Sequence, residues 1–556
     1  MLHGIQSATQ IKALLSAMLA FALKGCDTSN ESDAAHIDGN GSSSHFRGLA
    51  LKLMDQAISE CEDEPLPLPL LQALILITHG LLIQGVRARA WRYLGICVRS
   101  AYESNLHLVD SGKSPEDNTP DHVVDPARWC EDEERRRAWW AIWEMDVFAS
   151  VIRRCPTAID WSQNETFLPA EDERWARGEP QPSCMLKTGL VDRWKALQAT
   201  GNQSPKAWFI VINSLMKDAQ KISSPVGVDK APDQRMSTGG NTTRDKSRKL
   251  DTSHTKDARN RLSAMQNSLY CTVMALPRTL KYEYQSIHFG TRDADPEQRS
   301  SIRLLHSSIY SIHVMVQLTK LMIYKYHIFR MDPMWPRPTS ESGIPAGRSE
   351  DAATAPRPIG DHSSIEYQSL YFEAADEVMR IVRRSSPDQH KYVNPFLANS
   401  IWVAAAVQLL HRELVPVSSS NKERINSNFA LLCMTYNQFV DYWSVSTTPQ
   451  KTLDILEKEL KRFEHDHHNG FWSTDGKSSR VVGDIGHNPA TSRGEINADL
   501  VNSHVPLSAP DSTCDGELMF LPAVPTRGNL RPFSPHQSWP GCTNTSADSS
   551  CKSAPQ

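Results

Sequence analysis

Apolar residues along this chain recur every three to four positions, and no strand-like alternation persists for more than a few residues. The spacing predicts helices over 8–24, 46–62, 68–84, 87–104, 131–152, 204–222, 258–288, 300–330, 364–384, 395–414, 422–443 and 450–466. Pro65, Pro67 and Pro69 punctuate the start of the third helix, where proline is tolerated in the first turn. Three stretches interrupt the helical period. Residues 224–256 are polar with Gly, Pro and Ser, residues 333–362 are Pro-rich, and residues 473–556 hold many Pro, Ser, Gly and Asn. Such segments bury too little apolar area to offset chain entropy and are expected to be disordered. Shorter polar stretches at 27–45 and 111–128 read as surface loops, and there is no internal repeat. The expectation is an all-α, multi-helix domain over 1–470 with long disordered insertions at about 224–256 and 333–362, followed by a disordered C-terminal tail over 473–556.

Two apolar runs bear on targeting. Residues 13–23 follow Lys12 and end near Cys26, like the apolar part of a signal peptide. Leu14, Leu15, Met18, Leu19 and Ala22 nevertheless recur at helical spacing, and an amphipathic helix is the favoured reading. Residues 70–86 are the most hydrophobic run, but they include Gln72, His79 and Gln84. The run falls short of the roughly 20 apolar residues a bilayer requires, so a buried core helix is expected and no membrane association.

Composition narrows the classes further. Of 556 residues, 40% are hydrophobic and 22% charged, and the mean hydropathy is −0.44. That mix fits a globular core diluted by polar segments and excludes a polytopic membrane protein, a collagen-like fibre and a fully disordered chain. The net charge of −4 lacks the strongly basic footprint of a whole-chain nucleic-acid binder. The 11 cysteines are odd in number, widely spaced and never arranged as Cys-x-x-Cys, so they read as reduced intracellular thiols. Nothing resembles a P-loop, a dinucleotide fingerprint, an HExxH site or a nucleophile elbow. The chain is therefore expected not to be an enzyme. An all-helical enzyme is the weaker alternative, and no D-D-x-x-D motif supports it.

The richest segment is 125–175. Glu131, Asp132, Glu133 and Glu134 fill a helix start, where the dipole favours negative charge. Glu131 is within helical reach of Arg135, and Glu133 within reach of Arg136 or Arg137. Trp140, Trp143, Val147 and Val151 continue as an apolar stripe that Trp139 broadens, and three tryptophans in five residues would bury roughly several hundred Å2. A scaffold helix is the favoured reading; a regulatory pocket lined by tryptophans and arginines is the alternative. On the preceding helix Arg89, Arg92 and Arg99 share about one quadrant. Intramolecular pairing with the acidic start of 131–152 is expected of them, ahead of nucleic-acid binding.

Ordered and spaced as they are, these elements resemble the fungal-specific transcription factor domain, the regulatory domain also named for xylanolytic activators. The matching elements are Leu71-Gln72-Ala73-Leu74, Trp91-Arg92-Tyr93-Leu94-Gly95 with Val98-Arg99, Asn105-Leu106-His107, Glu134-Arg135-Arg136-Arg137 with Trp139-Trp140, then Asp146, Pro156-Thr157-Ala158-Ile159 and Leu168-Pro169. Residues 70–175 carry the match best, and residues 8–24 look like the family's early helix. The resemblance singles out Trp91, Arg99, His107, Glu134, Arg135, Arg136, Trp139, Trp140, Asp146 and Pro156 as mostly structural motif residues, with a regulatory pocket as the alternative role. No catalytic, metal or cofactor residue is expected. Asn105 stands where the family usually has Gly, and Asn also tolerates a left-handed backbone. Arg154-Cys155-Pro156 replaces a usual Gly-Arg-Pro turn.

The resemblance implies a nuclear transcription regulator whose helical domain controls an attached zinc-cluster DNA-binding module. Six closely spaced cysteines are absent here, since only Cys26 falls in the first 60 residues. No cofactor is therefore expected in this chain, and zinc only if such a cluster lies upstream. DNA is expected as a partner only through that missing N-terminal module. The expectation divides between a gene start placed too far downstream and a DNA-free regulator that binds or sequesters a partner factor. A protein partner or a small-molecule effector is expected; a homodimer is conceivable without support from any residue. Three weaker features remain. His465-Asp466-His467-His468 reads as a polar helix end ahead of a metal site, Arg244–Lys249 as a solvated loop ahead of a nuclear localisation patch, and Asp515–Leu521 as an incidental apolar patch ahead of a short activation motif.

Overall fold

The computed structural model describes residues 7–25, 39–113, 125–223, 243–290, 295–331, 361–414 and 421–471, some at helix ends by backbone alone. Among them are fourteen α-helices and no strand. Two isolated bridges, Phe167 with Met185 and Ile287 with Ser385, are the extended pairings. The all-α expectation therefore holds. The tail over 473–556 lies outside the described residues, as do 333–360 and 224–242 within the expected insertions.

In chain order the helices are α1 (Ala8–Gly25), α2 (Gly39–Ser59), α3 (Leu68–Ile83), α4 (Ala88–Glu103), α5 (Pro126–Arg153), α6 (Asp172–Arg177), α7 (Leu190–Ala199), α8 (Pro205–Ser223), α9 (Thr243–Ala275), α10 (Pro296–Tyr326), α11 (Asp361–Arg383), α12 (Ala398–Leu414), α13 (Asn421–Trp443) and α14 (Thr448–Phe471). All twelve predicted helices are present, with shifted ends. Helix α5 starts at Pro126, earlier than expected, because the Asp125 carboxylate caps it by accepting from Ala127 N at 3.1 Å and proline suits the first turn. Helix α2 starts at Gly39, inside the stretch read as a loop, and Ser43 there donates to the Ala20 carbonyl at 2.7 Å. Helix α9 stops at Ala275 ahead of Pro277, so the α-helix predicted to run to 288 ends early and only a 3-10 turn, Arg278–Leu280, follows. It begins at Thr243, inside the expected insertion, since Arg244–Lys256 contains no Gly or Pro to break a helix anchored further along. Helices α6 and α7 are short and were not foreseen.

Helix α1 corrects a second expectation. Its buried side is Ala13, Leu14, Ala17 and Ala20, whereas Ile11, Leu15, Met18 and Leu19 are exposed. Small side chains win the buried position because they let α1 approach α2 closely, against Ala50, Met54 and Ala57. Helix α3 is the buried core helix expected: Leu70, Leu71, Ala73, Leu74 and Ile77 are all sequestered. No helix among the described residues is long and apolar enough to cross a membrane.

One contiguous buried cluster runs from Ala13 to Leu460. Helices α1 to α4 pack in succession, α5 crosses α3 and α4, α8 lies along α10, and α10 to α13 pack neighbour on neighbour. Phe148 of α5 stacks on Phe396, just before α12, with centroids 3.9 Å apart. His79 of α3 sits between Phe396 at 4.7 Å and Phe21 of α1 at 5.8 Å. Burial lowers the His79 pKa to about 4, with the Glu144 carboxylate opposing and Lys206 reinforcing that shift. A folded-state pKa below the unfolded value means that the unfolded chain binds the proton more readily, so this stability is complete above about pH 6.5 and is lost as pH falls toward 4. The urea midpoint should accordingly drop between pH 7 and pH 5, and His79→Leu should flatten that part of the profile.

Candidate functional site

The motif residues assemble around one buried guanidinium. Helix α5 presents Arg136 inward, and its Nε and Nη2 donate to the two Asp110 carboxylate oxygens at 2.8 and 2.6 Å. Its Nη1 donates to Glu133 Oε2 at 3.3 Å. All three side chains are buried, at 4%, 0% and 1% exposure. Asp110 also accepts from Lys113 Nζ at 2.7 Å and from the Phe167 backbone N at 2.9 Å. Glu133 Oε1 accepts from Arg137 Nε at 3.0 Å and from Ala170 N at 2.8 Å. Burial opposes ionisation of Asp110, but the two-pronged contact with Arg136 overcomes it and holds the carboxyl below its usual range. Glu133 has only the longer single contact with Arg136; burial wins there, against Arg136 and Arg137, and its pKa is raised.

Two backbone segments are fastened to this centre. The turn at Asn105-Leu106-His107 leaves α4 with Asn105 at φ 52°, in the left-handed region that the family's glycine would occupy without strain. His107 O accepts from Glu165 N at 2.7 Å, and Thr166 Oγ1 donates to Leu106 O at 2.6 Å. Helix α5 ends at Arg153 and is capped by Arg154, also left-handed at φ 52°, at the first position of the Arg154-Cys155-Pro156 turn. The Asp146 carboxylate then accepts from Ala158 N at 3.1 Å and Ile159 N at 2.9 Å, closing the turn that Pro156 begins. Its pKa is raised by burial, which these two bonds and Lys217 oppose. Leu168 N donates to Cys184 O at 2.8 Å, and Pro169 O accepts from Asn202 Nδ2 at 3.0 Å.

The remaining motif residues are spread over this frame. Trp139 and Trp140 are buried, and Trp140 Nε1 donates to Phe167 O at 2.7 Å. His107 packs edge-on to Tyr102 at 4.8 Å and tilted to Trp139 at 6.0 Å; burial, against the pull of Glu165, lowers its pKa. Glu134 accepts from Gln72 Nε2 at 2.8 Å, and Arg135 donates to Ser104 O at 3.3 Å rather than pairing with Glu131. Trp91 is half-buried under the Arg153 guanidinium, 5.6 Å from the ring centroid. Arg99 and Pro156 are exposed. The pairing expected between α4 and α5 does not form: Arg89, Arg92 and Arg99 are exposed, and among the described residues no ion pair joins them to α5. At the start of α5, Glu133 is engaged by Arg136 and Arg137 of the same helix, Asp132 by Lys113 at 3.1 Å and Glu134 by Gln72.

Asp110 was not singled out in the sequence, although it follows the Asn105-Leu106-His107 turn by three residues; a lone Asp in a polar stretch carries no signal of its partner. Helix α5 also forms one wall of a recess whose other walls are α8, α10 and the start of α12. Phe148, Phe209 and Met315 line it, and Asn213 Oδ1 is buried there without a hydrogen bond. None of the ten motif residues lines it.

The described cysteines do not fit a zinc cluster. Cys61, Cys97, Cys130, Cys155, Cys184, Cys271 and Cys433 are free and lie on different elements, and no group of three or more metal-binding side chains occurs among the described residues. The His465–His468 side chains, the Arg244–Lys249 side chains and the 515–521 motif lie outside the described residues.

Residues 4–225 match the fungal specific transcription factor domain. Over 122 residues, 22% of the chain, the sequence is 28% identical to the citrinin biosynthesis transcriptional activator mrl3 of Monascus ruber, and over the same length 28% identical to the citrinin biosynthesis transcriptional activator ctnR of Monascus purpureus. The chain spans 23% and 20% of those two relatives. No solved structure matches the chain.

Removing Arg136 would leave buried Asp110 with only the more exposed Lys113 and buried Glu133 with only Arg137. Arg136→Met should cost about 3–5 kcal/mol of unfolding free energy, whereas Arg99→Ala should stay within about 0.5 kcal/mol; chemical denaturation of both variants separates a buried joint from an exposed motif residue. At the α4 end, Asn105→Ala should cost about 1 kcal/mol and Asn105→Gly should be neutral or stabilising, read as shifts in denaturant midpoint.

Proposed function

We propose that this chain is a transcription regulator, acting in the nucleus, whose helical domain governs the output of a DNA-reading module. The family match over residues 4–225 carries this reading, and the two citrinin biosynthesis transcriptional activators support its direction. The motif residues act as structural joints: Arg136, Asp110 and Asp146 hold turns in place and face no open site. No catalytic role is proposed for any of them. DNA recognition would come from a six-cysteine zinc module, or from a partner factor that carries one, because the described cysteines are not placed to hold that metal.

Regulation in this reading is a matter of helix packing. The family segment ends near the end of α8, yet α8 lies along α10 and shares one buried cluster with α9 to α14. A change at the later helices is therefore felt by the family segment through continuous packed contact. An effector or partner shifts such a domain only as far as it binds two packings with different affinity. We propose one regulatory unit over 1–470.

The test is to fuse the full chain to a heterologous DNA-binding domain in a fungal reporter strain. Reporter output should change at least about threefold, up or down, relative to the DNA-binding domain alone at matched protein level. Unchanged output from a soluble, folded fusion would sink the reading.

A further inference from the structure

Helix α1 leaves its second apolar face uncovered. Ile11, Leu15, Met18 and Leu19 are exposed, Leu15 by 51%. No other helix among the described residues carries more than two large apolar side chains so exposed. The rest of this outer side is Ala8, Lys12 and Ala22. At about 100° per residue all of these positions fall within an arc of roughly 120°, opposite the buried Ala13, Ala17 and Ala20. Ala8, Ile11, Leu15, Met18 and Ala22 follow one another at alternating steps of three and four residues, the spacing of a coiled-coil seam.

The seam is symmetric about Leu15. Turned end for end, it sets Ala8 opposite Ala22 and Ile11 opposite Met18, lays the aliphatic stem of Lys12 beside Leu19, and brings Leu15 against its own counterpart. A surface that matches itself in this way is what a two-fold interface requires, because each contact is made twice. Charge selects the direction. Ser7 Oγ donates to Glu60 Oε2 at 2.5 Å, so Glu60 and the exposed Glu62, Asp63 and Glu64 that follow it lie toward the start of α1. A parallel pair brings two such acidic ends together. An antiparallel pair separates them and sets each level with the end of the other α1 that carries Lys24, with Arg47 nearby; Ser7 and Lys24 each lie about 12–14 Å along the axis from Leu15. The two helix dipoles then oppose one another as well. We infer that the exposed face of α1 binds a second copy of this chain, the two α1 helices packing antiparallel about a two-fold axis at Leu15. Helix on helix over about four turns hides roughly 800–1,000 Å2 in total, the low end for specific interfaces, so the dimer is weak and forms as concentration rises. The pairing stands without the transcription reading.

Sedimentation velocity on the full chain is the test. The mass should rise from 62.3 kDa toward twice that value across the micromolar range. Leu15→Glu and Leu15→Lys should each weaken association at least about tenfold, since either sets two like charges face to face on the axis, and an equimolar mixture of the two should recover it. Both changes fall at a half-exposed position, so circular dichroism and the thermal midpoint should stay as in the native chain. Ile11→Glu mixed with Met18→Lys should also associate, whereas Ile11→Glu mixed with Ile11→Lys should not; the reverse result would show a parallel pair and overturn the arrangement. A native chain that stays monomeric throughout the range overturns the inference and leaves a different protein as the occupant of this face. So does a dimer that survives Leu15→Glu, or one that the Leu15→Glu and Leu15→Lys mixture fails to restore. Reporter output plays no part in these measurements, so the dimer and the transcription reading fail separately.

Discussion

The structure depends on one buried cation. Arg136 cannot be sequestered in a helical core unless its charge is met, and Asp110 and Glu133 meet it from two directions. Each acid then has lone pairs left over, and these are filled by backbone N–H groups of Phe167 and Ala170. The need to satisfy a single charge thus pins the non-helical segment 165–170 to the middle of α5. With it go Leu168, Pro169 and the Trp140 hydrogen bond to Phe167 O. Hydrophobic replacement of all three side chains could fill the same volume, but it would leave those backbone donors without the Asp110 and Glu133 acceptors.

From that fixed point α5 acts as the spine of the molecule. Toward one side it meets α3 and α4; toward the other its Glu144 accepts from Asn394 Nδ2 at 2.7 Å and pairs with Lys206, while Phe148 stacks on Phe396. The helix carrying the family's densest motif is therefore also the one that joins the family segment to the chain beyond it. This explains why residues past 225, though outside the family match, bury their apolar faces in the same cluster. A domain built in this way has few places where a signal can enter without disturbing the core. The recess beside the spine is lined by Phe148, Val151 and Ile152 of α5 and by none of the motif residues.

The helices were legible because each carries its own evidence: an apolar period of 3.6, as in α4, or an unbroken apolar run, as in α3. Their ends were less so. The Asp125-Pro126 cap is a local signal that precedes the strong charge pattern of 131–137, and the end of α9 at Ala275, short of the predicted 288, shows Pro277 outweighing a continuing apolar pattern. Helix α1 defeated periodicity altogether. Two faces of that helix are apolar, and only the fit of Ala13, Ala17 and Ala20 against α2 decided which one is buried.

The motif carried the family and the intrahelical pairs of Glu133 with Arg136 and Arg137, since three- and four-residue spacings on one helix are set by its geometry. It did not carry Asp110 or Lys206, whose partners Arg136 and Glu144 lie 26 and 62 residues away. By itself, then, the sequence determined the all-α class, the order of helices, and the likeness of residues 4–225 to the fungal specific transcription factor domain. Tertiary structure decided which face of α1 is buried, and that Asp110 is the acid Arg136 requires. The physical reason is range. Periodicity, caps and helical ion pairs act within a few residues, whereas desolvating a charge sets no limit on how far along the chain its counterion lies.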